Sequence, residues 1–304
     1  ARVRLKGQMG DKVKIRFAEM LNDDGTMYTA NLRSAKSTDY YIFGSKNEVI
    51  WEPHFTFHGF RYVELSGINY KPTKDDLIGV VLHSEIPQIG KFECSDKLIN
   101  LLQKNIQWGQ KGNFLEVPTD CPQRDERLGW TGDAQVFVRT AAFNRDVASF
   151  FEKWCEDITD SQFPDGGVPH VVPNVLGKGH GYCAAWADAV IICPWIIYLC
   201  YGNKRILERQ YKSMCKWVQW RINNSRNLIN DSACFGDWLA IDIAEGNPGK
   251  SPTPRDLIST AYFAYTTGIV AKIAKILGLK ADSKKYTKLY NQIKKAFNRE
   301  FVSQ

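Results

Sequence analysis

Two periodicities divide the chain. Over the first 70 residues apolar side chains recur at every second position, the spacing of a half-buried strand. In Val13–Phe17, Val13, Ile15 and Phe17 alternate with Lys14 and Arg16, so one face is buried and the other wet. Asp23-Asp24-Gly25 is a turn signal between two such runs. Tyr40–Phe43 and Phe60–Leu65 are further strand candidates, rich in aromatic and β-branched residues. Pro53, Gly59 and Gly67 punctuate them. The expected fold here is an antiparallel β-sandwich, or part of one.

From about Lys71 to Gly90 the chain carries Pro, Gly and mixed charge. We place a linker over residues 71–90, after a β-domain of residues 1–70. Beyond Lys91 the period becomes helical. Ser95-Asp96 can cap a helix with Leu98, Leu102 and Ile106 on one face. Leu207, Tyr211, Met214, Val218 and Ile222 form a cleaner stripe. Asp256–Leu277 is a third candidate, stopped by Gly278 at a C′ position. Tyr286, Leu289, Ile293 and Phe297 form a fourth, with Asp282 or Ser283 as its cap. Asp133–Phe143, Asp146–Ile158 and Ala184–Tyr201 complete about seven. The loops between them are dense in Gly, Pro, Trp and Asp. Many helices joined by polar, aromatic loops suggest a helical toroid with a site built by loops at one end.

Composition narrows the functional classes. The 304 residues are 44% hydrophobic and 24% charged, enough for a sizeable core and an ordinary polar surface. No apolar run reads as a membrane span, because Asp188 and Pro194 interrupt the longest, Ala184–Tyr201. The net charge is +7, but much of the Lys lies between Lys272 and Lys295 at helical spacing, as on solvated outer faces. No recognisable nucleic-acid module accompanies it. Eight Cys occur without a CxxC pair or Cys/His ligand spacing, and Cys193, Cys200 and Cys215 read as small buried thiols. His170 and His180 flank the loop Phe163–Pro169 and lack a third ligand, so no metal or cofactor is expected. Neither a phosphate loop nor a nucleophile elbow is present. The chain starts without Met in strand-like sequence and its last helix runs into the final residue, so we expect it to be cut at both ends. Compartment and oligomeric state are not set by the sequence.

The chemistry concentrates in VPTDCPQRDERLGWTGD, residues 117–133. Asp120, Asp125, Glu126 and Asp133 lie in fourteen residues with Arg124, Arg127 and Trp130. Glycoside hydrolysis needs this mixture. One carboxylic acid must stay protonated to donate to the leaving oxygen. Neighbouring carboxylates raise its pKa by repulsion, and apolar cover raises it by desolvation. Other carboxylates bind sugar hydroxyls, and a Trp face covers the apolar side of a ring. The competing reading is a turn, held by Arg–carboxylate pairs, that caps a helix beginning near Asp133. Ala185–Ala189 and Phe235–Trp238 add two more Trp–Asp pairs, at Trp186-Ala187-Asp188 and Asp237-Trp238. Each alone reads as a turn-forming Asp beside a core Trp. Together with the first segment they make a shared carbohydrate cleft credible.

The run from Asp120 to Asp133 resembles the signature of the α-L-rhamnosidases of glycoside hydrolase family 78. The AAWADA stretch, the FGDW stretch and Phe57-His58-Gly59-Phe60-Arg61-Tyr62 agree with it, so the resemblance covers nearly the whole chain. It implies a multi-domain β + α chain: a partial antiparallel β-sandwich followed by a truncated (α/α)6 barrel over residues 91–304. It implies inverting hydrolysis of terminal α-L-rhamnosyl groups from a glycoside or polysaccharide, with two carboxyls roughly 6.5–9.5 Å apart. Glu126 falls at the general acid. Asp120, Arg124, Trp130 and Asp133 fall at rhamnose-site positions, and Trp186 and Trp238 match the aromatic walls. The family's general base lies further downstream, which places it beyond Gln304. The alternatives are a catalytically silent carbohydrate-binding relative and another (α/α)6 glycosidase.

Overall fold

The computed structural model describes residues 1–45, 47–231, 235–240 and 252–302. It divides into two compact units, Ala1–Ser84 with Lys97–Arg127, and Glu85–Asp96 with Leu128–Gln304.

The first unit is built on eight strands: β1 (Arg2–Lys6), β2 (Lys12–Ala18), β3 (Met20–Leu21), β4 (Met27–Tyr28), β5 (Thr38–Ile42), β6 (Glu48–Trp51), β7 (Tyr62–Ser66) and β8 (Leu77–Ile78). They pair as two three-stranded antiparallel sheets, β6-β1-β8 and β5-β2-β7, with β3 and β4 as a hairpin. Asp23-Asp24-Gly25 turns that hairpin, as its composition requires. The alternation in β2 is realised: Val13, Ile15 and Phe17 are buried. They meet Val3 and Leu5 of β1, and Phe43, in one apolar cluster. This is the sandwich core, and each such side chain contributes roughly 1.5–3 kcal/mol on burial. The same unit holds α1 (Lys97–Asn113), which starts directly after Ser95-Asp96, and the short hairpin β9 (Phe114–Leu115) and β10 (Val117–Pro118). The stripe expected on α1 is not a buried one. Leu98 and Leu102 are 77% and 58% exposed, and Ile106 is half-buried. The period identifies the helix but not its cover.

The second unit contains α2 (Thr131–Asn144), α3 (Ala148–Ser161), α4 (Ala189–Tyr201), α5 (Lys204–Asn223), α6 (Arg255–Ile276) and α7 (Lys280–Phe301), with a small hairpin of β11 (Ser225–Arg226) and β12 (Ile229–Asn230). The helix α4 is apolar on every side and packs against α2, α3, α5 and α6. It begins at Ala189 rather than Ala184, since residues 184–188 form a turn with Ala185 at φ 68°. The helix α6 is long and apolar enough to cross a membrane by length and composition, unlike the reading of the sequence. More than half of it is buried, as in a core helix.

Gly278 stops α6 as expected. It sits at φ 76°, while Leu279 N–H donates to Ala274 O and Gly278 N–H to Lys275 O, a Schellman turn. This turn launches α7 at Lys280, so neither Asp282 nor Ser283 is its cap. Asp282 instead accepts from the Tyr211 hydroxyl at 3.0 Å. Cys193 is buried, but Cys200 is exposed on the last turn of α4 and Cys215 is half-buried, which corrects the expected burial of both.

A buried ion pair ties four elements of this unit together. Asp188 and Arg221 are both fully buried and meet at 2.8 Å. The Asp188 carboxylate also accepts from Trp217 Nε1 and from Ala185 N–H. Arg221 also donates to Asn230 Oδ1 and Ser259 O and lies over the Trp217 ring. The start of α4, the end of α5, β12 and α6 are thereby joined. Arg221→Leu strands the carboxylate in the core and should cost about 3–5 kcal/mol. Chemical denaturation would show this as a lowered midpoint; a loss below about 1 kcal/mol would contradict it.

Candidate active site

The residues 119–127 form an irregular loop pinned at both ends. Thr119 donates to Asn113 O through its N–H and its hydroxyl, at 3.0 and 2.8 Å. Arg127 adopts φ 52°, donates to Phe57 O at 3.0 Å and stacks its guanidinium over the Phe57 ring. Gly59 permits the close approach in between: a Cβ there would lie 2.9 Å from Gln123 Cβ. The 57–62 segment is therefore the cradle of the acidic loop. His58 is fixed in turn by the Asp39 carboxylate at 3.1 Å and by stacking on Phe17.

Within this loop Glu126 is held by both oxygens. Arg33 Nη2 lies 2.9 Å from Oε1, and Arg124 Nη2 donates to Oε2 at 2.7 Å. Arg33 also reaches Asp125 Oδ1 through Nε at 2.8 Å and Nη2 at 2.7 Å, and the Ser34 hydroxyl donates to Asp125 Oδ2 at 2.6 Å. Cys121 is the hub on the other side. Its thiol donates to Asp120 Oδ2 at 2.8 Å and accepts from Arg124 Nε at 3.2 Å. Asp120, Arg124 and Glu126 are thus brought together as expected.

The electrostatics depart from expectation. Burial raises the Glu126 pKa, but hydrogen bonding with Arg33 and with Asp120 and the charge of Arg124 outweigh it. The net direction is down, so the substrate-free carboxyl is ionised. The sequence shows carboxylates close together; it does not show that the arginines take first place beside Glu126. Burial pushes the Cys121 thiol up to about 11, so it stays protonated. One ligand atom each of Asp120, Cys121 and Glu126 lies within 4.8 Å of the others. A protonated thiol and two guanidiniums on the carboxylate make this a poor cation site.

The aromatic residues gather in the second unit around Phe235, which the sequence reading passed over within its own FGDW stretch. Ring centroids lie 4.8 Å from Phe235 for Trp186, 5.5 Å for Trp238 and 6.0 Å for Trp130. Trp238 is 47% exposed; Trp130 and Trp186 are half-buried. Trp130 is the N-cap residue of α2, and Asp133 is exposed in its first turn, where the helix dipole favours a carboxylate. Asp133 is thus inside the first turn of α2 and is not its cap, and the N-cap residue makes no capping side-chain hydrogen bond. Asp188 of AAWADA is structural, in the buried pair described above. Gly132 opens space for Trp186: a Cβ there would lie 2.5 Å from the indole.

A family model described as the bacterial α-L-rhamnosidase six-hairpin glycosidase domain matches residues 87–304, and one described as the bacterial α-L-rhamnosidase concanavalin-like domain matches residues 1–83. The chain belongs to the bacterial α-L-rhamnosidase family. An α-L-rhamnosidase of Formosa agariphila is 48% identical over 97% of this chain and 32% of its own length. The crystal structure of Streptomyces avermitilis α-L-rhamnosidase complexed with L-rhamnose is 43% identical with a TM-score of 0.93, covering all of this chain and 28% of that one. The native enzyme of Aspergillus terreus gives 35% and 0.93, covering all of this chain and 36% of that one. The chain spans about a third of the length of these relatives. The fold class follows: a partial concanavalin-like β-sandwich, then helices of an (α/α)6 barrel, seven of them among the described residues.

His170, beside the loop Phe163–Pro169 and not assigned to the site from the sequence, also joins the aromatic cluster. It lies 4.9 Å from Phe235 and stacks near Trp130 at 6.4 Å. Burial pushes its pKa down to about 4, against a backbone hydrogen bond with Gly181 that raises it. Among the described residues, His170 Nε2 and Trp130 Nε1 are buried without a hydrogen-bond partner. Proton NMR should find the His170 imidazole neutral from pH 8 down to 5. Its stability contribution is complete above the ordinary value of 6.5 and is lost as pH falls toward about 4. A titration near 6.5 would contradict this. Gly132→Ala should displace Trp186, costing about 1–3 kcal/mol and changing the near-ultraviolet circular dichroism; an unchanged spectrum and midpoint would refute the close packing.

Proposed function

We propose that this segment carries the proton-donating half of an inverting α-L-rhamnosidase. The observation that carries the reading is Glu126, in the motif of its family, gripped on both oxygens inside a carboxylate–guanidinium cluster. The substrate is a terminal α-L-rhamnosyl group on a glycoside or polysaccharide. Glu126 takes up a proton when substrate binds and gives it to the glycosidic oxygen as the bond to the anomeric carbon breaks. A second carboxylate, expected downstream of these 304 residues, removes a proton from the attacking water on the opposite face. Asp120, Arg124 and Asp133 bind hydroxyls of the sugar, and Trp130, Trp186 and Trp238 form apolar walls. The domain division proposed is sandwich 1–70, linker 71–90 and barrel 91–304. The related structure with L-rhamnose bound supports the choice of sugar.

One observation favours a second reading, a silent rhamnose-binding relative: the lowered pKa of Glu126 in the free state. Activity separates the two. Glu126→Gln in the intact enzyme should lower turnover of an alkyl rhamnoside by about 10²–10⁴-fold. The loss should be smaller for a p-nitrophenyl rhamnoside, whose leaving group needs less help from an acid. Retained turnover by Glu126→Gln, or rhamnose binding by the unmutated enzyme without hydrolysis, would overturn the proposal.

A further inference from the structure

Arg33 belongs to a loop of the β-sandwich, far from Glu126 in sequence, yet it touches the carboxyl on which the proposed reaction depends. The loop is built to present it. Residues Ala30–Leu32 form a 3₁₀ turn with Leu32 buried, and Arg33 N–H donates to Ala30 O. Arg33 then adopts φ 54°, the left-handed region where an L-residue with a long side chain is strained. Such strain persists where the surroundings over-determine it and gathers at working sites. Ser37 returns the chain to the core, its carbonyl accepting from Phe17 N–H of β2.

The two guanidiniums on Glu126 are not equivalent. Arg124 Nη2 is bonded to Oε2, and its Nε is held by Cys121, a neutral thiol. Leaving Glu126 would cost Arg124 its carboxylate partner within this cluster. Arg33 is bidentate across two carboxylates. On leaving Glu126 Oε1 it keeps both contacts to Asp125, which Ser34 also orients. Arg33 is also the more exposed, at 45% against 36%. A proton donor needs one oxygen free for its proton and for the glycosidic oxygen. Oε1 is the cheaper one to vacate.

We propose that Arg33 is a positioning residue supplied by the β-sandwich: it holds Glu126 by Oε1 in the free enzyme and shifts wholly onto Asp125 when substrate binds, which makes Oε1 the proton-bearing oxygen. The inference rests on Glu126 being the general acid. The charged and titratable groups around it are Arg33 from the sandwich loop, and Asp120, Cys121, Arg124 and Asp125 from its own loop. Glu19 lies further out, within reach of Arg124 and Arg61.

The test is the pH profile of kcat/KM for an alkyl rhamnoside in the intact enzyme. The limb to follow is the one set by Glu126 in the free enzyme, whichever side of the optimum it falls on. Removing a cation beside a carboxyl raises its pKa, so Arg33→Met should move that limb up by about 0.5–1 pH unit, discounted for exposure. Asp125→Asn takes away the alternative partner, so the same limb should move down and kcat should fall several-fold. Arg33→Lys keeps the charge and should lie between wild type and Arg33→Met. Circular dichroism and thermal midpoints confirm that each variant folds. Limbs unmoved in Arg33→Met, or moved the same way in Arg33→Met and Asp125→Asn, would overturn the inference. If Glu126→Gln is inactive in that case, the proposed function stands without it. If Glu126→Gln retains turnover, both fall.

Discussion

A carboxylate with a guanidinium on each oxygen is a poor proton donor, and the rest of the site is arranged around that constraint. Glu126 is gripped by Arg33 and Arg124, and each arginine is placed by something else. Arg124 is aimed by the Cys121 thiol, which also holds Asp120. Arg33 is aimed by a strained turn on a buried leucine. The result is a carboxyl whose direction is fixed before any sugar arrives. Preorganised charges of this kind do not have to reorganise during the reaction. If Glu126 is the proposed proton donor, the cost is a free state ionised where the reaction needs a proton, which substrate binding would have to reverse.

The second unit solves a different problem, that of holding large aromatic rings half-exposed without collapse. Trp130, Trp186 and Trp238 all lean on Phe235. The backbones of Trp130 and Trp186 are set by rigid features nearby: the N-terminus of α2, and the left-handed turn at Ala185 next to the Asp188–Arg221 pair. Asp188 accepts from Ala185 N–H, so the ion pair fixes the turn that carries Trp186. A buried pair is weak evidence for stability in itself. Here it specifies where Trp186 stands.

Much of the fold was legible in the chain. Alternation at Val13, Ile15 and Phe17 marked β2, and Gly278 marked the end of α6 because glycine takes the left-handed C′ conformation at little steric cost. The stripe of Leu98, Leu102 and Ile106 marked α1 as a helix, but periodicity reports a face and not its burial. The cap of α7 was misread because a Schellman turn, not a side chain, starts that helix. In the site, the acidic loop stood out by composition. What composition could not show was order among neighbours. Arg33 lies some ninety residues from Glu126, and only the sheet-borne loop brings it there. His170 stood beside the loop Phe163–Pro169 and Phe235 in the FGDW stretch, but a single ring in a loop has no periodicity to show what it packs against.

The proposed reaction turns on the ionisation of one side chain, which can be watched directly. Carboxyl carbons of ¹³C-labelled glutamate in the intact protein can be titrated by NMR, with the Glu126 resonance assigned by its absence in the glutamine variant. The expected midpoint in the free protein lies below 4.5, the ordinary glutamate value, and rises when L-rhamnose is added. A midpoint above 4.5 in the free protein, or one that rhamnose leaves unmoved, would contradict the picture of a proton donor restrained by two arginines.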